Sequence, residues 1–329
     1  MPALLPLNFF SLLSRFSRCS SIACIILSEV LMLCVCVLFA DPRRGSSKSH
    51  VFSFSVDSVT VRLILSTLCT HFYVVNHPRQ LRSLLVASPA WSQLINALHG
   101  VLSCQNPSLS LQSSILISLV HSVSRATILE TGLSTQFNII QDAIISLRSA
   151  PTHVGLLTDV LIGLAQCPGP ICVEKTFPLI MSSMDAVMAS VDDASYVSGL
   201  LVLCLTLAES HLPLVDLQGS HTLLRLCVDV VRHVSVPVAS LLASGNVHSI
   251  DHGSRDISNL LALLHQFTAK DFFDIGPDSS ADVGVEAAFA GMCALLSAMS
   301  ADTLIHFPDI CTGIYDLLSS LIITAPGNV

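Results

Sequence analysis

Leu260-Leu261-Ala262-Leu263-Leu264-His265-Gln266-Phe267 runs directly into Thr268-Ala269-Lys270-Asp271-Phe272-Phe273-Asp274-Ile275-Gly276. The first half continues a stripe that begins at Ile257: Ile257, Leu260, Leu261, Leu264 and Phe267 recur at three and four, the spacing of one helix face. The second half is polar, acidic and ends on glycine, which reads as a link. Beyond it Val285, Phe289, Met292, Leu296 and Met299 form a second stripe, and His306-Phe307-Pro308-Asp309-Ile310-Cys311 opens a third, carried by Ile310, Ile314, Leu317, Leu318 and Leu321. Helix, link and helix repeat as a unit, and the same plan extends upstream.

Ser88-Pro89 has the composition of a helix start, a capping serine before proline in the first turn. Trp91, Leu94, Ile95, Leu98 and Leu102 follow as one stripe. Asn106-Pro107 opens its partner, with Leu116, Leu119, Val120 and Val123. A second pair carries Phe137, Ile140, Ile144 and Leu147, then Val154, Leu157, Leu161 and Leu164, and stops at Cys167-Pro168-Gly169-Pro170. A third carries Ile180, Met184, Val187, Met188 and Val191, then Tyr196 to Leu207, which is apolar nearly all round and so belongs between neighbours. A fourth carries Leu223, Leu226, Val230, Val231 and Val234, is broken at Pro237, and resumes at Ile257 after an insertion near Ser244 to Ser254. The fifth starts at Ser279-Ser280-Ala281-Asp282, which resembles a capping box.

First helices thus start near residues 88, 134, 178, 220 and 281, and most spacings fall in the roughly 40–47 residues of HEAT and armadillo units. Strand-like alternation is confined to Val51–Val56. The expected fold is all-α: an α-solenoid of HEAT-like helical hairpins over residues 51–329, each hairpin burying its apolar face on the next.

Composition agrees. Hydrophobic residues make up 52% of the 329 and charged residues 12%, about half the usual share of roughly 25%. A large core is affordable in such a chain, and Ser and Thr must cover much of the surface. The formal charge is −8, with 15 Lys and Arg residues and no dense basic cluster. Nucleic-acid binding requires basic residues that displace counterions from phosphates, so it is not expected. The 12 cysteines include no C-x2-C pair of the kind zinc sites use. Cys204 and Cys227 fall on apolar helix faces, where a free thiol serves as a small hydrophobe. Reduced core thiols and the absence of an Asn-x-Ser/Thr acceptor (Asn106-Pro107-Ser108 is blocked by its proline) point to an intracellular setting.

Residues 1–50 stand apart. Ile22 to Ala40 is nearly long enough to span a bilayer, which takes about 20 apolar residues. Arg15 and Arg18 precede it, Glu29 interrupts it, and Asp41-Pro42-Arg43-Arg44-Gly45-Ser46-Ser47 follows. It reads as a signal or anchor, as a buried helix, or as a segment foreign to the helical body; the last two suit the intracellular character of the rest.

Chemistry-bearing constellations are sparse. His248 and His252, four apart with Asp251 between, have a spacing that on a helix presents two imidazoles on one face. Gly245, Asn246 and Gly253 instead suggest a loop, and no third ligand is evident, so no metal is expected. His99, His121 and His265 fall singly on helices and read as packed or surface residues. Asp192-Asp193 and the group Asp271, Asp274, Asp278 and Asp282 read as solvated charge or helix caps, or as an acidic face for a basic protein partner. Met181, Met184 and Met188 read as core filling. Phosphate loops of the G-x-G-x-x-G or Walker A type and the G-x-S-x-G elbow are missing. The chain is therefore expected to be no enzyme: catalytic residues none, cofactor none.

Three stretches resemble the carboxy-terminal part of the nuclear export receptors of the importin-β (karyopherin) superfamily: Leu84-Leu85-Val86-Ala87-Ser88-Pro89-Ala90-Trp91 with the helix Leu111–Val123; Leu260–Ile275 with its Lys270-Asp271-Phe272-Phe273-Asp274 run; and Met299–Pro308 leading into the Tyr315 helix. The resemblance implies a curved HEAT solenoid that binds protein cargo together with the GTPase Ran in its GTP form, passes nuclear pore proteins, and shuttles between nucleus and cytoplasm. The acidic balance suits that group. The amino-terminal repeats that mainly engage Ran there have no counterpart in this chain, residues 1–50 match nothing in the family, and no Ran or cargo contact transfers to a numbered residue. Two other readings stand beside it: a generic HEAT scaffold, and a membrane-anchored helical protein using Ile22–Ala40. A first repeat without an upstream neighbour would expose apolar surface, so poor solubility is expected.

Overall fold

The computed structural model describes residues 89–102, 113–129, 134–189, 194–268 and 280–324. These residues are α-helical with short connections, and none of them forms a strand. The fold is all-α. The chain divides into two compact units, residues 1–143 and 144–329.

In the first unit lie α1 (Pro89–Leu102), α2 (Ser113–Leu129) and most of α3 (Ser134–Arg148). Pro89 occupies the first position of α1, where its missing N–H costs nothing. The expected stripe is buried: Trp91, Ile95, Leu98 and Leu102 on α1; Leu116, Leu119, Val120 and Val123 on α2; Phe137 and Ile140 on α3. Trp91 donates its indole N–H to Gln136 Oε1 at 2.9 Å, giving the buried ring a partner and tying α1 to α3.

The second unit continues with α4 (Val154–Ala165), α5 (Pro170–Met181), α6 (Met184–Met188), α7 (Ala194–Ser210), α8 (Leu217–Ala243), α9 (Val247–Phe267), α10 (Ser280–Ala298), α11 (Ala301–His306) and α12 (Pro308–Thr324). Alternate long helices pack on one another. One succession runs α4, α7, α9, α12. The other includes α8 and α10, and Phe177 of α5 reaches Gly219 of α8. The two successions are joined where α8 and α10 pack on α9 and where α5 packs on α4. Burial of α7 follows from this position. With α4, α8 and α9 around it, Val197, Leu200, Leu201, Leu203, Cys204, Leu207 and Ala208 are all buried, as the all-round apolar pattern requires. Tyr196–Leu214 and Leu217–Ala243 are long and apolar enough to cross a membrane by length and composition alone; 50% and 44% of their apolar windows are buried against other helices.

Two boundaries differ from expectation. The third first-helix starts at Pro170, not near residue 178. Gly169, at φ 96°, reverses the chain, Pro170 takes the first helical position, and Pro178 is accommodated inside α5 with its ring exposed. Nor does Pro237 break the fourth helix: α8 continues to Ala243. Pro237 is exposed while Val234, Ser235, Val238 and Leu242 are buried around it, so tertiary burial holds the turn together despite the lost hydrogen bond. Helix starts at Pro89, Ser134, Pro170, Leu217 and Ser280 are consequently less evenly spaced than the sequence suggested. The expected boundary near residue 50, the apolar segment Ile22–Ala40 and the strand-like Val51–Val56 lie outside the described residues.

Candidate functional site

Most sequence candidates for chemistry end up dispersed. His248 and Asp251 are on the first turns of α9, not in a loop. Gly245, at φ 62°, turns the chain, and Asn246 caps the helix by accepting from the N–H groups of His248 (3.1 Å) and Ser249 (3.4 Å). The expected insertion therefore contracts to a tight α8–α9 connection. His248, Asp251 and Val247 line a cleft of about 420 Å³ whose far side is His306 and Phe307, at the end of α11. His306 was not legible as a neighbour, since it lies far along the chain and approaches only through packing. Even so, among the described residues no three His, Cys, Asp or Glu side chains come together to hold a metal ion. The side chain of His252 lies outside the described set, as do Asp192, Asp193, Asp271, Asp274 and Asp278; Asp282 falls in the first turn of α10.

His99 is exposed and His121 buried. Burial, aided by the nearby Arg125 charge, lowers the His121 pKa to about 4. A histidine the sequence did not single out, His211, is fully buried just after α7. Its Nε2 donates to the Ala165 carbonyl at 3.0 Å, its ring leans on Phe177 at 5.9 Å between centroids, and burial lowers its pKa to about 4 against the partial opposition of that hydrogen bond. It clasps the ends of α7 and α4 together as a neutral imidazole. Met184 is buried and Met181 and Met188 half-buried, in keeping with core filling. Cys204 and Cys227 are buried as free thiols on adjoining helices.

A polar groove lies between α9 and α12. It encloses about 460 Å³. Ser258, Leu261, Ala262, His265 and Gln266 come from α9; Asp309, Gly313, Asp316, Ser319 and Ser320 come from α12. Helical spacing explains the wall on α12, because 309, 313, 316 and 320 recur at three and four. Gly313 lets the helices approach: a Cβ there would sit 3.2 Å from Leu261 Cδ1. A hydrogen bond of 2.9 Å between His265 Nε2 and Ser320 Oγ joins the walls at one end. Neither Lys nor Arg lines it. Its carboxylates, Asp309 and Asp316, are exposed.

The residues described thus define an all-α protein of packed helical hairpins with a polar inter-helix groove. No known protein family matches the chain, and no curated protein matches it.

Proposed function

We propose that the chain is a protein-binding α-solenoid of HEAT-like hairpins, acting as a nuclear transport receptor similar to exportin-4 that carries protein cargo with Ran-GTP through the nuclear pore. The observation that carries the solenoid reading is the alternation of packing in the second unit, α4 on α7 on α9 on α12 beside α8 on α10, since hairpins stacked in register produce such next-but-one contacts. The transport role draws on the resemblance of Leu84–Trp91, Leu260–Ile275 and Met299–Pro308 to export receptors, together with the charge of −8. Cargo and Ran in its GTP form would favour the same arrangement of repeats, and each would then raise the affinity for the other. In this reading the protein shuttles between nucleus and cytoplasm, meets nuclear pore proteins on the way, needs no cofactor and catalyses no reaction.

The test is a pull-down from nuclear extract with the intact chain as bait, in the presence of Ran locked in the GTP or the GDP form. Retention of the GTP form above the GDP form is expected. Equal or absent retention removes the transport role and leaves a generic HEAT scaffold, which the same helix packing supports. Carbonate-resistant recovery in the membrane pellet would instead favour anchoring through Ile22–Ala40.

A further inference from the structure

We draw no further inference here: the strongest candidate, the cleft between the start of α9 and the end of α11 lined by Val247, His248, Asp251, His306 and Phe307, with Ile305 exposed next in sequence to His306, carries none because nothing in the structure shows what covers it.

Discussion

His211 is a neutral group inside the folded chain and a titrating one outside it, which makes stability depend on pH. Its folded pKa of about 4 lies below the ordinary 6.5. Above pH 6.5 neither state is protonated and the full stability is present. Between 6.5 and 4 the unfolded chain takes up a proton that the folded chain refuses, so stability falls with pH; below 4 the loss levels off, at roughly 3 kcal/mol for a shift of this size. His121, lowered to about 4 in the same direction, adds to the effect. Urea melts across this range should show the decline, and His211→Gln, which keeps a donor for the Ala165 carbonyl, should lessen it and leave the part due to His121. The thiols make a second prediction. A hydrogen bond with Cys204, together with burial, pushes the Cys227 thiol well above its usual range, and thiolate is the reactive form. Alkylation of the native protein followed by mass spectrometry should modify exposed Cys293 ahead of half-buried Cys311 and spare Cys167, Cys172, Cys204 and Cys227. Rapid labelling of Cys204 or Cys227 would contradict the helix packing. At this scale the burial of Cys204 and Cys227 was legible from their apolar faces. The role of His211 was not, because its partner Ala165 is on another helix.

Among the helices, close approach is governed by residues without side chains. Gly291 of α10 sits where a Cβ would be 2.9 Å from Leu264 of α9 and 3.6 Å from Val231 of α8, so three helices meet over it. Gly291→Val forces them apart and should cost about 2 kcal/mol in chemical denaturation, within the range for overpacking; an unchanged midpoint would mean that this crossing is looser than described. Helix order and most of the buried stripe were readable because a face at three-and-four spacing is a local property. Pro237 misled for the same reason. A proline's cost is local, and the burial of Val234 and Val238, which offsets it, is not. The histidine pair at 248 and 252 was assigned to a loop from its glycines, whereas the Asn246 cap starts a helix immediately after Gly245.

For the whole molecule, the scarcity of charge sets solution behaviour. With 12% charged residues, the surface retains large apolar side chains, among them Ile305 at 77% and Ile323 at 78% exposure. Such residues favour association. Ile305→Lys with Ile323→Lys should raise the concentration at which the chain stays monodisperse in light scattering, while the unfolding midpoint shifts by no more than about 0.5 kcal/mol per site. A monodisperse wild-type monomer at high concentration would refute the expected stickiness. Periodicity and composition alone determined that the chain is helical, roughly where its helices lie, and that it carries no recognisable catalytic motif, because those are properties of short stretches. Which helices are neighbours, that α7 is enclosed, that His306 faces His248, and that Asp309 and Asp316 share a groove with His265 were decided by tertiary structure. The physical reason is that such contacts depend on the packing of side chains distant in sequence, which no local spacing encodes.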